Sequence, residues 1–235
     1  MSTDPRGNFF GGHCYMKTAI FVDGAYFLRR FRNIYKTKDY RNPVVVTDTM
    51  YRMCIKHLKT RYGIKSKLYR LFFYDCPPLE KRVHYPISNQ CIVLGQTDEA
   101  KFRKAIHQHL VTKRKVALRL GRLDEKNGRW VVKDWAMDAL MKGNLDWPNL
   151  TDDHFRYHAK QAGVDMMIGT DIASVADGKH VSQMVLVAGD SDFVPAAKLA
   201  RRSGIDFILD PMWNHIHDDL MEHIDGLHST SPKPY

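Results

Sequence analysis

The chain has 235 residues, and its apolar fraction of 44% is ordinary for a protein that forms one large domain or one domain with an elaborated insertion. No run reaches the roughly 18 to 20 uncharged apolar residues of a membrane helix, so a membrane partner is not expected. The four cysteines include no CxxC pair, which argues against a zinc site and a secreted disulfide framework and favours a cytoplasmic location. Lys and Arg outnumber Asp and Glu by 36 to 26, and the net charge of +10 favours a polyanionic partner.

The first half of the chain predicts alternating strands and helices. Residues 1–16 lack an apolar secretory core and are predicted to be a disordered lead-in. Apolar runs predict strands at Lys17–Gly24 and Lys67–Asp75. Helical spacing predicts a helix at Ala25–Tyr35 and a second that begins at a cap on Thr47 or Asp48 and ends near Gly63.

The middle of the chain gives weaker patterns. Thr97 to about Leu110 is predicted to be helical, as is Asp134–Lys142. Val116–Arg122 and Gly128–Val132 are predicted to pair as a β-hairpin, which would be an excursion from the main sheet. Phe155–Ala162 is predicted to be a short helix or turn.

The last third is the clearest part of the sequence. A helix at Val164–Val175 precedes a continuous apolar run, Gln183–Ala188, which is typical of a strand buried on both faces. The pattern then predicts, in order, a helix, a strand, a helix and a flexible tail: Asp192–Arg202, Ile205–Leu209, His215–Ile224 and residues 227–235. We therefore predict one α/β domain over residues 17–226, with a mainly parallel central sheet and helices on both faces.

Acidic residues follow several of the predicted strands. Asp23, Asp75, Asp210 and the pair Asp190 and Asp192 stand at strand ends, and Asp165 begins a helix that could open on the same edge. Clustered carboxylates repel one another unless a cation neutralises them, and Mg²⁺ or Mn²⁺ suits oxygen ligands. An aspartate at a strand end also commonly caps the next helix, and Asp192 is placed to do so.

A stretch in the middle of the chain carries only positively charged residues, and it predicts a contact with the backbone of a nucleic acid. Its members are Lys101, Arg103, Lys104, Lys113, Arg114, Lys115, Arg119 and Arg122, with no Asp or Glu between them. His215, His217 and His223 do not share a helix face, so they are interpreted as surface residues and not as metal ligands.

Three segments resemble the signatures of NYN domains, which are PIN-like, and the LabA-like group is the most similar. They are IFVDGA (Ile20 to Ala25), the stretch around Gly163-Val164-Asp165, and VAGDSDFVPAAKLARRSGI (Val187 to Ile205). The resemblance implies a PIN-like fold and a Mg²⁺- or Mn²⁺-dependent ribonuclease that hydrolyses phosphodiester bonds with a metal-activated water. By position it implies Asp23, Asp165, Asp190 and Asp192 as catalytic metal ligands.

The resemblance also marks secondary positions and one departure. Asp171 matches a second acidic position, and Ser191 is a candidate for helix capping or a substrate contact. Tyr26 stands where the family usually has Asn, so it is either a substrate contact or a sign of weakened catalysis. The alternative function is therefore an inactive NYN module that binds RNA or recruits a protein. RNA is expected in preference to DNA, and the oligomeric state, a homodimer included, is left open.

Overall fold

The computed structural model describes residues 16–36, 39–59 and 65–234, so the predicted lead-in lies almost wholly outside the described residues. The strands are β1 (Lys17–Asp23), β2 (Lys67–Asp75), β3 (Arg82–His84), β4 (Cys91–Val93), β5 (Val116–Leu120), β6 (Arg122–Leu123), β7 (Arg129–Val132), β8 (Phe155–His158), β9 (Gln161–Ala162), β10 (Gln183–Val187), β11 (Asp206–Leu209) and β12 (Gly226–Leu227). The helices are α1 (Gly24–Ile34), α2 (Pro43–Lys56), α3 (Asp98–Val111), α4 (Asp134–Met141), α5 (Val164–Asp177), α6 (Val194–Arg202) and α7 (Asp218–Met221).

A six-stranded sheet organises the chain, in the order β12-β11-β10-β1-β2-β5. Each neighbouring pair is parallel, which confirms the predicted mainly parallel architecture. β1 and β10 lie at its centre, and every residue of β10 is buried. Strands covered on both faces need apolar side chains at every position, which explains the continuous apolar run in this part of the sequence.

Two hydrophobic cores lie on opposite faces of the sheet because successive side chains of a strand point to opposite sides. In β1, Ala19 and Phe21 pack with α5 and α6, whereas Ile20 and Val22 pack with α1, α2 and α3. The helices thus cover both faces of the sheet, as the sequence predicts.

The predicted hairpin between Val116–Arg122 and Gly128–Val132 is wrong. β5 is instead the edge strand of the main sheet and pairs in parallel with β2. β7 pairs with β8, which was predicted to be a helix or turn, and two further antiparallel pairs join β3 to β4 and β6 to β9. The excursion therefore exists, but long-range pairing overrides the local turn signal at Asp124–Gly128.

Two helix predictions also need correction. α2 begins at Pro43, because the Asn42 side chain caps the amides of Val44 and Val45 and proline suits the first helical turn. The last predicted helix is reduced to the four residues of α7. The described residues contain no helix that combines the length and apolar character needed to cross a membrane.

The segment after β12 packs against the domain, contrary to the predicted flexible tail. The Thr230 hydroxyl donates to the Met53 carbonyl at 3.0 Å, and the Trp213 indole donates to the Ser231 carbonyl at 2.9 Å. Ser231 is buried. These contacts fasten the end of the chain to α2 and to the loop after β11.

Candidate metal centre

The carboxyl edge of the parallel sheet gathers the acidic residues. Along this edge, Asp23 ends β1 and Asp75 ends the neighbouring β2, while Asp190 and Asp210 follow β10 and β11. Ligands of open parallel sheets bind outside this edge, because the loops there are free to hold functional groups. The topology therefore brings residues from distant parts of the chain to one side of the molecule.

Asp23 has a structural and an electrostatic role. Its carboxylate caps α1 by accepting a hydrogen bond from the Tyr26 amide at 3.1 Å. Burial, and to a lesser extent the charges of Asp165 and Asp75, raise the pKa of Asp23 to about 6 against the lowering effect of the Tyr26 and Ala25 amides. The side chain therefore lies in a region that disfavours negative charge.

Asp165 lies in the first turn of α5, two residues after Gly163, whose backbone has a φ of +83°. A residue with a side chain is strained at that φ, so glycine is what allows the chain to turn into the helix at this point. Partial burial raises the pKa of Asp165, and the charges of Asp190 and Asp192 raise it further. Asp165 is thus electrostatically coupled to both aspartates after β10 as well as to Asp23.

The structure separates the two aspartates after β10. The Asp190 carboxylate caps a short 3₁₀ turn, Ser191–Phe193, by accepting from the Asp192 amide at 3.2 Å. The capping role predicted for Asp192 therefore belongs to Asp190. Asp192 is exposed, and its carboxylate accepts no hydrogen bond from the described residues.

The four aspartates fit a divalent cation by donor type and by charge. Oxygen ligands suit Mg²⁺ and Mn²⁺, and burial together with the charges of neighbouring aspartates raises the pKa values of Asp23 and Asp165, a cost that a bound cation offsets. In residues 16–36, 39–59 and 65–234, however, no three His, Cys, Asp or Glu side chains form a ready-made metal cage. Mg²⁺ ordinarily binds one or two carboxylates and completes its shell with water, so such a cage is not required.

The other two strand-end aspartates are occupied by ion-pair partners. Asp75 contacts Arg103 at 2.5 Å and His107 at 2.9 Å, and Asp210 contacts His57 at 2.8 Å. Both carboxylates are fully buried. A buried charge is stable only when it is paired, so these residues hold α3 and α2 against the sheet and are not available to a cation.

Tyr26 lies inside the protein and not at its surface. Its ring packs over Gly189, where an added Cβ would come within 2.6 Å of a ring carbon. Its hydroxyl donates to the Pro211 carbonyl at 2.6 Å. Burial raises the pKa of Tyr26 to about 12, so the phenol stays protonated. The residue that replaces the family asparagine therefore links α1 to the loops after β10 and β11.

Asp171 and Ser191 lie at the same edge with different surroundings. Asp171 accepts hydrogen bonds from Arg119 at 2.9 Å and from the Tyr74 hydroxyl at 2.8 Å. It is therefore an anchor between α5, β2 and β5. Ser191 opens the 3₁₀ turn and lines a surface depression with Asp192 and Lys198.

The basic stretch does not form one surface. Lys113, Arg114 and Lys115 precede β5 and lie at the amino edge of the sheet, since Val116 pairs with Leu71 and Leu120 with Asp75. Half of the stretch is also neutralised: Arg103 pairs with Asp75, Lys104 with Glu80, Lys113 with Asp48 and Arg119 with Asp171. Among described residues, Lys101, Arg114, Lys115 and Arg122 make no ion pair, and Lys115 donates to the Leu68 carbonyl.

Within the basic stretch, Arg122 is the unpaired cation best placed near the aspartates. It is exposed, and its backbone pairs with Ala162, three positions before Asp165. Sequence reasoning included it in the stretch but had no signal to separate it from the residues at the far edge.

A model of the NYN domain family matches residues 149–229. This part of the chain is similar to an NYN domain. NYN domains belong to the PIN-like superfamily, whose members are usually nucleases that need divalent metals. The matched region supplies β10, β11 and α5 with Asp165, Asp190 and Asp192, and the match does not separate out the LabA-like group, which stays a prediction.

The other comparisons give little beyond the family. No curated protein matches the chain. Among solved structures, a protein of unknown function from Vibrio parahaemolyticus is similar at 14% identity and a TM-score of 0.44, over 97% of this chain and 96% of its own.

Proposed function

We propose that this protein is a divalent-metal-dependent nuclease that hydrolyses phosphodiester bonds in RNA. The observation that carries the proposal is the electrostatic coupling of Asp165 to Asp23 on one side and to Asp190 and Asp192 on the other. These residues come from three separate segments and meet at the edge where parallel sheets bind ligands. Helix capping accounts for Asp23 and Asp190 but leaves Asp165 and Asp192 unexplained.

The residues divide the work as follows. Asp23, Asp165, Asp190 and Asp192 would hold a Mg²⁺ or Mn²⁺ ion, which would supply charge neutralisation at the scissile phosphate and lower the pKa of bound water. The Tyr26 amide donates a hydrogen bond to the Asp23 carboxylate, and the Asp192 amide donates one to the Asp190 carboxylate. Hydrogen bonds of this kind restrict the rotation of a carboxylate, so the capping interactions also orient the ligands.

Arg122 holds the substrate. Its exposed guanidinium has no acidic partner among the described residues and attracts the RNA phosphates. Arg119 is partly exposed but is bound to Asp171, so its contribution to RNA binding is smaller. The substrate backbone thus approaches the aspartates between α5 and the strands β5 and β6.

The test is cleavage of a labelled RNA by the full-length protein with Mn²⁺ or Mg²⁺. We expect Asp190→Asn to reduce cleavage by at least about a hundredfold, since loss of a charged group that stabilises the transition state costs about 3 kcal/mol or more. Asp177→Asn is the matched control, because Asp177 is an exposed aspartate at the opposite end of α5. Cleavage that survives in EDTA and in Asp190→Asn would identify a contaminating nuclease.

The same experiment separates the alternative, a binding module without chemistry. An inactive module binds RNA in the wild type and never cuts it with either metal. Its affinity would hold or rise in Asp190→Asn, because the substitution removes negative charge near the phosphates. That outcome would replace the nuclease proposal.

A further inference from the structure

We propose that a cavity beside the aspartates binds one unpaired nucleobase of the RNA strand whose backbone lies at the metal centre. The proposal rests on the proposed function and adds a substrate class, single-stranded or locally unpaired RNA. The cavity lies between α3, the loop after β2 and the antiparallel excursion, and we call it the Cys76 cavity after the residue that borders the aspartates.

The Cys76 cavity adjoins the metal centre through the end of β2. In the register of β1 and β2, Asp23 lies beside Tyr74, so Cys76 is two residues farther along the neighbouring strand. A strand spacing of about 4.8 Å and a rise of about 3.3 Å per residue place the Cα atoms of Asp23 and Cys76 about 8 Å apart. Burial, then the charge of Asp75, and more weakly that of Asp23, raise the pKa of the Cys76 thiol to about 11.

The size and lining of the cavity suit a small planar ligand. Its volume is about 310 Å³, at the lower end of the range of about 300 to 1,000 Å³ that is usual for small-molecule sites. The side chains of Pro78, Leu79, Leu94 and Leu123 supply apolar lining. A cavity of this size accommodates a single base and excludes a base pair.

Polar groups complete the lining. Arg103 is held by Asp75 and Glu99, and its Nη2 donates to no acceptor among the described residues. The Gln161 side-chain amide likewise has no described partner. Arg156 is half exposed, and its one ion pair is to the very exposed Asp134, an interaction worth little. The cavity therefore offers a pre-oriented planar cation and an amide, both with unused hydrogen-bonding capacity.

This combination matches the chemistry of a nucleobase. A base presents two apolar faces and an edge of hydrogen-bond donors and acceptors, and proteins recognise unpaired bases by stacking and edge contacts. Guanidinium planes stack on bases and also donate to their carbonyl groups. A base in the Cys76 cavity would fix the adjoining phosphate near Asp23, so the cavity positions the strand for cleavage.

The experiment measures binding and cutting separately. A short fluorescently labelled single-stranded RNA is compared with a strand of the same length that carries abasic sites in place of its central bases, in EDTA so that no cleavage occurs. We expect the wild type to prefer the intact strand at least about fivefold, in line with the stacking of one base. Ala159→Trp fills the cavity and should remove this preference, whereas Ala139→Trp, on α4 outside the cavity, should keep it.

The outcomes are distinct from those of the nuclease test. If Ala159→Trp distinguishes the two strands as well as the wild type does, the base site is refuted. If Ala159→Trp unfolds in a thermal scan, Gln161→Ala gives the same reading without added volume. If adenosine or uridine monophosphate, at the concentration of the labelled strand, displaces that strand from the protein, the cavity binds free nucleotides and the proposal that it binds a base of an RNA strand is refuted. Base-dependent binding by a wild type that never cuts RNA would support the cavity and refute only the nuclease.

Discussion

The substitution Tyr26→Phe tests whether the phenol in place of the family asparagine serves structure or chemistry. The ring remains packed over Gly189, and the hydrogen bond from the hydroxyl to the Pro211 carbonyl is lost. That bond is buried and 2.6 Å long, but the Pro211 carbonyl still accepts a hydrogen bond from the Asn214 amide at 2.9 Å. The loss of one such bond costs about 1 kcal/mol.

The expected effect on stability follows from the size of the chain. In a protein of this length, about 1 kcal/mol lowers the melting temperature by about 2 to 4 °C, so Tyr26→Phe should melt about 2 to 4 °C below the wild type. Tyr26→Asn restores the family residue but removes the ring, and a lost buried aromatic costs about 3 to 5 kcal/mol. We therefore expect Tyr26→Asn to be the less stable of the two variants.

The assay pairs calorimetry with RNA cleavage well below both melting temperatures. Tyr26 is 7% exposed, so the substrate does not reach it, and Tyr26→Phe should cleave at close to the wild-type rate. Tyr40→Phe is the matched control, since Tyr40 is 39% exposed and should change neither quantity. A Tyr26→Phe protein with wild-type stability and a tenfold slower cleavage would refute the structural role.

Two further outcomes follow from the charged residues. The pKa of Asp210 lies below its usual 3.8 because the hydrogen bond and charge of His57 outweigh burial, so the ionised carboxylate stabilises the fold above about pH 3.8 and the contribution is lost in stronger acid. Denaturant unfolding should show Asp210→Asn about 3 kcal/mol less stable than the wild type at pH 6, with a smaller difference at pH 3; a constant difference would contradict the linkage. In RNA binding, Arg122→Gln should reduce the slope of log affinity against log salt by about 0.7, whereas Arg114→Gln at the far edge should leave the wild-type slope unchanged. An equal reduction of the slope in both variants would show that the amino edge also binds RNA.

The sequence predicts the central sheet well because its signals are local. β2 runs from Lys67 to Asp75 as predicted, since aromatic residues and leucines fill it and Cys76-Pro77-Pro78 ends it. Asp23 and Asp190 lie near strand ends as expected for the same reason. A buried parallel strand is recognisable from its composition alone.

The excursion and the roles of individual aspartates are not local properties. Asp75 and Asp210 have the same position after a strand as Asp23, and only the fold reveals their partners His107 and His57. The residues of the basic stretch are close in the chain, and the sequence therefore predicts one contact surface. β5 instead runs through the stretch from the amino edge of the sheet to its carboxyl edge, so its residues lie at opposite edges.

The place of β1 in the sheet determines when the candidate site becomes complete during synthesis. β1 lies between β10 and β2, so a nascent chain can pair β1 with β2 long before β10 leaves the ribosome. A chain released between Arg122 and Asp165 carries the basic stretch and Asp23, but neither Asp165 nor the two aspartates after β10. The proposed metal centre is therefore complete only after translation has passed β10, and a prematurely released polypeptide lacks three of its four carboxylates.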